Sequence, residues 1–171
     1  MINNDQNICQ NPIHNQLRAA IAMLERAIHA CPATLWEAFM WHDAKMGADF
    51  SRFWYIAYHS LFYLDLYLSG SLEGFAPPPP FTLDELDPKG KQPPRVFTQA
   101  ELLDYADFCR AKCDGVFARL DEAQLHQSCS FPWMEMSYAE LLLDNMRHVQ
   151  EHGAQLNMFL GQQAGVHSSW E

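Results

Sequence analysis

The sequence is poor in basic residues. It contains 11 lysines and arginines against 21 aspartates and glutamates, so its formal net charge is −10 with neutral histidines. A protein that binds the nucleic-acid backbone needs a basic face, and a protein that docks on anionic lipid needs a basic cluster. The charge balance therefore argues against both nucleic acid and membrane as partners.

Targeting signals and long hydrophobic runs are also missing. Residues 1–16 are polar and have neither the basic nor the apolar region of a signal peptide. The most apolar stretch, residues 53–68, is interrupted by His59 and Asp65 and is short for a membrane span. The five cysteines are odd in number, which argues against a secreted disulfide framework. We therefore expect a soluble cytoplasmic protein.

Several catalytic motifs have no counterpart in the chain. The sequence has no glycine-rich phosphate loop, no G-x-S-x-G nucleophile elbow and no C-x-x-C pair. The sequence therefore does not support nucleotide binding, a hydrolase with a catalytic triad or a zinc finger.

Helical spacing of apolar residues is present in four stretches, and no stretch shows convincing strand alternation. The predicted helices cover about residues 17–30, 52–68, 99–120 and 138–160. Thr98 with Glu101 and Ser137 with Glu140 form the capping-box pattern at the start of the third and fourth helices. The pattern predicts an all-α fold, a four-helix bundle with long connections.

Two connections interrupt the helices of this predicted single domain. The first contains Thr34 and Glu37 in another capping-box pattern, so we expect a short helix there. The second is rich in proline over residues 77–94, which predicts a stiff surface spacer. We place the core of the domain at about residues 17–160 and a polar N-terminal tail at residues 1–16.

Two histidines occupy neighbouring turns of the fourth predicted helix. His148 and His152 are four residues apart, which places them about 40° apart around the helix axis. Their ring nitrogens can therefore converge on one cation, and Asp144 and Gln155 lie close to the same face. The alternative is that both histidines are exposed helix residues without a ligand.

The same segment also reads H-x-x-E-H, a metalloprotease pattern in which Glu151 would be the general base. Those enzymes need a carboxylate ligand well downstream, and few residues follow His152. We therefore do not expect a protease. Glu151 and Asp144 remain candidates for a catalytic proton acceptor beside the histidine pair.

A third histidine lies in the middle of the second predicted helix. His59 shares its helical face with aromatic residues, among them Tyr55 and Tyr63. A buried neutral imidazole needs partners for both ring nitrogens, or it costs about 1–3 kcal/mol. A hydrogen bond to a tyrosine or an aspartate would satisfy it, and so would a metal shared with His148 and His152.

The layout of these elements resembles the DinB-like superfamily of metal-binding four-helix bundles. The resemblance covers nearly all of residues 17–160 and rests on HSLFYLDLYL from His59, TQAELLDYADFCRAKCDGVFARL in the third helix and SYAELLLDNMRHVQEHGAQLNMFLG in the last. Its most specific piece is the H-x-x-x-H-x-x-Q run of His148, His152 and Gln155. The long proline-rich connection and a tryptophan-rich entry to the second helix depart from the commoner members, so the substrate pocket can differ.

The resemblance implies a divalent metal, zinc or nickel, held by His59, His148 and His152, with further positions open to water or substrate. Members with a known activity are thiol-S-transferases that use a low-molecular-weight thiol such as bacillithiol, and a mycothiol-dependent isomerase. The resemblance therefore implies a metal-dependent transferase that acts on a small-molecule substrate, in which the metal activates a thiol or water.

The surroundings of the predicted site suggest how a substrate would be held. We expect Tyr55, Tyr63 and Gln155 to contact the substrate or the thiol cofactor, with Trp133 in the same pocket. A non-catalytic bundle with a structural metal or a partner-binding role is the alternative, and a bundle without metal is a third possibility. A homodimer is compatible with this much apolar surface, although the sequence does not establish one.

Overall fold

The computed structural model describes residues 6–42 and 47–166, without the side chains of residues 6–11 and 48. The described chain is mostly helical and carries a small two-stranded sheet. Its α-helices are α1 (Gln6–Ala30), α2 (Phe53–Ser69), α3 (Gln99–Phe117), α4 (Glu122–Leu125) and α5 (Tyr138–Ala164). Its strands are β1 (Ser128–Phe131) and β2 (Met134–Ser137). None of the helices in the described residues is long and apolar enough to cross a membrane.

The four long helices pack around one core. Helices α1 and α2 each pack along α3 and α5, whereas α1 and α2 touch only slightly. Nearly every residue of α2 is buried, because α3, α5 and the connection after α2 cover it from several directions. A polar side chain in the middle of α2 must therefore find its partners inside the protein.

Predicted helix boundaries hold for α2, α3 and α5, which begin and end within a few residues of the expected positions. The capping boxes predicted at the start of α3 and α5 are confirmed. Thr98 Oγ1 accepts a hydrogen bond from the backbone N–H of Glu101 at 3.2 Å, and Ser137 Oγ accepts one from the backbone N–H of Glu140 at 3.3 Å. These capping boxes can be recognised in the sequence because each involves only neighbouring residues.

Helix α1 starts earlier than the sequence predicts. It begins at Gln6, so the expectation of a polar N-terminal tail is wrong for residues 6–16. His14 shows the reason, because its ring stacks on Phe117 at 4.7 Å and its Nε2 lies 2.8 Å from Asp114 Oδ1. Such long-range contacts stabilise a polar helical turn that has no apolar periodicity of its own.

The first connection contains a short 3₁₀ helix, Ala48–Ser51, but it does not start at the capping pattern of Thr34 and Glu37, so the predicted position is wrong. The residues form turns instead. Trp36, between them, is buried and donates from Nε1 to the carbonyl oxygen of Phe97 at 2.9 Å. This tie to a distant segment holds the backbone where a local capping pattern alone would start a helix.

The proline-rich connection after α2 is packed onto the protein, so the prediction of a stiff spacer is wrong. Phe75, Phe81 and Phe97 from this connection are buried, and the ring of Phe81 stacks on Tyr105 of α3 at 4.3 Å. Phe81 between the prolines, and Phe75 and Phe97 on either side of them, bury apolar area that a solvated polyproline segment does not have. A short 3₁₀ turn, Leu83–Leu86, follows and lies beside α2.

A β-hairpin precedes α5, although the sequence pattern predicts no strand. Strands β1 and β2 pair antiparallel across Pro132 and Trp133. Strands of four residues are too short for alternation to stand out, and Pro-Trp is not a common two-residue hairpin turn. Trp133 Nε1 donates to the hydroxyl of Tyr67 at 3.2 Å, so the hairpin is anchored to α2.

A buried carboxylate joins α2 to α3. The side chain of Asp65 is only 1% exposed and forms an ion pair with Lys112. Its other oxygen, Oδ2, accepts a hydrogen bond from the hydroxyl of Tyr105 at 3.0 Å. Lys112 Nζ also donates to the hydroxyl of Ser69 at 2.7 Å. Loss of the carboxylate would leave an ammonium and a phenol without their shared partner.

Asp65→Ala should lower the free energy of unfolding by at least about 2 kcal/mol, because the buried hydroxyl of Tyr105 and the partly buried ammonium of Lys112 lose their shared acceptor. Asp107→Ala is the matched control, since Asp107 forms a 3.0 Å pair with Arg110 on the surface of α3 and its side chain is 68% exposed. The control should cost about 0–1 kcal/mol. Urea unfolding followed by circular dichroism measures both, and equal costs would contradict this account of the pair.

Candidate metal centre

Three histidine side chains from two helices converge. His59 lies in α2, and His148 and His152 lie one turn apart in α5. One ring nitrogen from each residue lies within 4.8 Å of those of the other two. Nε2 of His59 is 3.3 Å from Nε2 of His148. The structure thus brings together the three residues that the sequence predicts as metal ligands.

Packing of α5 between α1 and α2 places its two histidines. Asn145, one turn before His148, donates from Nδ2 to the carbonyl oxygen of Leu64 in α2 at 3.1 Å. On the side toward α1, a Cβ added to Gly153 would lie 2.7 Å from Cε of Met23. The backbone N of Leu24 would lie 3.7 Å from the same Cβ, so α1 packs at ordinary contact distance directly beside His152.

A carboxylate from the proline-rich connection orients the ring of His59. Oε1 of Glu85 lies 3.0 Å from Nδ1 of His59. The hydroxyl of Tyr55, one turn earlier in α2, donates to both oxygens of Glu85 at 2.5 and 2.9 Å. Because an ionised carboxylate only accepts, the proton of His59 belongs on Nδ1, and Nε2 presents its lone pair to the other two rings.

Glu85 is the site residue that sequence reasoning misses. It lies 26 residues from His59, in a segment without helical periodicity, and its side chain is only 4% exposed. The sequence contains one indirect signal, which is the need of a lone histidine on an apolar face for a hydrogen-bond partner. We expected a tyrosine or an aspartate as that partner, and the structure supplies a glutamate held by Tyr55.

Gln155 orients the ring of His152. Its Oε1 lies 2.8 Å from Nδ1 of His152, so the amide oxygen can accept a hydrogen bond from this ring nitrogen. The sequence places Gln155 near this face, and the structure shows the contact. Nδ1 of His148, by contrast, is buried without a hydrogen-bond partner, while its Nε2 faces His59.

The rings of His148 and His152 are held in the neutral form. Burial first, and then the neighbouring rings of His59 and His152, lower the pKa of His148 to about 2. Burial and the ring of His59 also lower the pKa of His152, against smaller raising effects that include Gln155 and Glu151. Neutral imidazole is the form that offers a lone pair to a metal.

Two pockets open onto the cluster. A cavity of about 320 Å³ reaches His59 and His152. Its apolar and aromatic walls are formed by Trp41, Phe50, Tyr55, Ile56 and Tyr63. A groove of about 200 Å³ reaches His59 and His148 and is rimmed by Tyr63, Tyr67 and Trp133. The structure therefore divides the single pocket that the sequence predicts, with Tyr55 in the cavity, Trp133 in the groove and Tyr63 in both.

The two carboxylates predicted as proton acceptors have other surroundings. Glu151 is exposed on α5. Asp144 forms an ion pair with Arg147 at 3.2 Å, one turn further along the helix. Among the described residues, the carboxylate in hydrogen-bond contact with the cluster is that of Glu85. The catalytic roles of Glu151 and Asp144 stay predictions.

Comparisons with known proteins identify no relative. No protein-family model matches the chain, and neither a curated protein nor a solved structure matches it.

Acidification should destabilise the metal-free protein. The folded-state pKa values of His148 and His152 lie below the value of about 6.5 in an unfolded chain, so the unfolded state binds more protons as the pH falls. Above about pH 6.5 both histidines are neutral in the folded and the unfolded state, so they cost no stability. Below that pH the free energy of unfolding falls, with a slope approaching about 1.4 kcal/mol per pH unit for each histidine.

Urea unfolding in the presence of a chelator, between about pH 7 and about pH 5, measures this slope. His148→Gln should reduce the slope, whereas replacement of an exposed histidine, His126→Gln, should leave it unchanged. The assignment fails if both variants keep the slope of the parent.

Proposed function

We propose that this protein is a divalent-metal-dependent enzyme acting on small molecules, with zinc or nickel held by His59, His148 and His152. The convergence of three imidazole rings beside two pockets carries the proposal. A structural zinc site is usually closed by four protein ligands, whereas a catalytic site leaves a position for water or substrate. Three histidines beside accessible pockets correspond to the catalytic arrangement.

The donor set fits such a cation. Imidazole nitrogen suits both zinc and nickel. Glu85 and Gln155 engage Nδ1 of His59 and His152, so Nε2 of each ring keeps its lone pair. The 3.3 Å between Nε2 of His59 and Nε2 of His148 also suits two ligands of one tetrahedral cation. Zinc–nitrogen bonds of about 2.0–2.1 Å at a tetrahedral angle span nearly the same separation.

The proposal includes membership of the DinB-like superfamily of four-helix bundles and transfer of a low-molecular-weight thiol. It is supported by the placement of one ligand in the second long helix and two in the last, and by the direct packing of α2 on α5. When bound, the cation would lower the pKa of a thiol or water so that a nucleophile exists at neutral pH.

In a thiol transfer, the sulfur forms a bond to an electrophilic carbon of the acceptor. The bond between that carbon and its leaving group breaks, the leaving group takes the electron pair, and the thiol proton passes to solvent. The protein must therefore hold a sulfur and a carbon close together and keep water from competing.

Residues around the cluster orient its rings and fix the positions of protons. Burial, and after it the charge of Glu85, raises the pKa of Tyr55, so its hydroxyl stays protonated and keeps donating to Glu85. Glu85 in turn holds the proton of His59 at Nδ1. Burial also raises the pKa of Tyr63 to about 12, so this residue is a neutral hydrogen-bonding group at the edge of both pockets.

Metal content tests the proposed ligands. Protein purified without a polyhistidine tag should contain near-stoichiometric zinc or nickel by elemental analysis, and a triple variant, His59→Ala with His148→Ala and His152→Ala, should contain none. Replacement of two exposed histidines, His29→Ala with His126→Ala, is the control and should keep the metal. A parent that binds no zinc at neutral pH would overturn the proposal.

Turnover separates catalysis from a structural metal. The metal-loaded protein should transfer a low-molecular-weight thiol to an electrophile, and His59→Ala should abolish the activity. Metal removal that lowers the melting temperature of a protein without turnover would instead favour a structural role.

Glu85→Gln should weaken zinc affinity by about 10–100-fold, because the ring of His59 loses the carboxylate that holds its proton. Glu73→Gln is the matched control, since Glu73 is an exposed glutamate in the same connection. Competition with a chromophoric chelator measures both affinities. Equal affinities in the two variants would show that Glu85 does not support the centre.

A further inference from the structure

The cavity and the groove adjoin the histidine cluster at different pairs of rings. The cavity touches the cluster at His59 and His152, whereas the groove touches it at His59 and His148. Each pocket thus reaches the same group of nitrogens through a different pair of rings. A centre with two approaches can hold two molecules at once, which a reaction between two substrates requires.

We propose that the groove rimmed by Tyr63, Tyr67 and Trp133 is a separate subsite for the thiol, and that the cavity binds the uncharged, apolar body of the acceptor at the same time. The inference rests on the proposed function, because it assigns the two reactants of a transfer to two places on one centre.

The cavity suits an uncharged body. Its walls are largely apolar and aromatic, and its volume of about 320 Å³ accommodates a substituted ring. The charged groups that line it already have partners. Glu85 accepts from Tyr55 and lies beside His59, and Lys91 forms an ion pair with Asp84. A charged acceptor would have to compete with these pairs.

The groove suits a small sulfur-containing group. None of its five lining residues carries a permanent charge, since they are three aromatic residues and two histidines. Divalent sulfur makes favourable contacts with aromatic rings, and thiolate is a good ligand for zinc. A groove of about 200 Å³ admits the thiol group and its nearest atoms. The remainder of the thiol would extend into solvent.

The rim of the groove is held in place by several contacts. Trp133 donates from Nε1 to the hydroxyl of Tyr67 and packs edge-on against Tyr63 at 6.0 Å between ring centroids. It also stacks on Phe131 of the same hairpin at 5.6 Å. Its side of the groove is nevertheless accessible, because 46% of the residue is exposed. The hairpin therefore presents a preformed aromatic wall to an incoming ligand.

Two probes test the proposal on the full chain, in zinc-free and zinc-loaded forms. Benzyl alcohol reports on the cavity and 2-mercaptoethanol on the groove, each titrated by NMR alone and in the presence of a saturating amount of the other. Both probes should bind together, and each dissociation constant should change by less than about twofold when the other probe is present.

Two substitutions assign the probes to their places. Trp133→Ala should weaken 2-mercaptoethanol binding about fivefold and leave benzyl alcohol binding unchanged, and Phe50→Ala should do the reverse. Phe108→Ala removes an exposed aromatic residue of α3 that lines neither pocket, and it should change neither affinity.

The outcomes separate this inference from the proposed function. Mutual displacement of the probes, or thiol binding that is unchanged in Trp133→Ala, would overturn the two subsites. If the protein binds no zinc, the proposed function is wrong. The titrations of the zinc-free protein then still test whether the two subsites exist. Independent binding of both probes supports it, whereas displacement or absent thiol binding overturns it.

Discussion

One buried carboxylate, that of Glu85, connects the fold to the candidate site. It accepts from the hydroxyl of Tyr55 and lies against Nδ1 of His59, so it ties the proline-rich connection to the middle of α2. The same contact determines which nitrogen of His59 faces α5. The cavity wall depends on it as well, because the segment that carries Glu85 also contributes Asp84 and Lys91 to the lining.

Local spacing explains what could be predicted from the sequence. His148 and His152 are recognised because four residues make one helical turn, and His59 because a histidine on an apolar face needs a partner. Glu85 could not be predicted, since its contact with His59 is made by tertiary packing of a connection that has no period. The hairpin that carries Trp133 could not be predicted either, because its strands are too short to show an alternation of apolar and polar residues.

The environment of the cluster explains why it suits a cation. Burial and mutual repulsion keep His148 and His152 neutral, so their lone pairs stay available at neutral pH. The pockets then determine what can reach these nitrogens. An apolar cavity reaches one pair of rings and an aromatic groove reaches another, and the proposed reaction between two molecules rests on this open arrangement.

Anomalous diffraction at the zinc absorption edge, from crystals of the zinc-loaded protein, would locate the cation among the side chains. If His59, His148 and His152 are its ligands, one strong peak lies at about 2.0–2.1 Å from a ring nitrogen of each, with Glu85 still on Nδ1 of His59. A peak at a different group of side chains, or no peak among these three rings, would show that they do not form a zinc site.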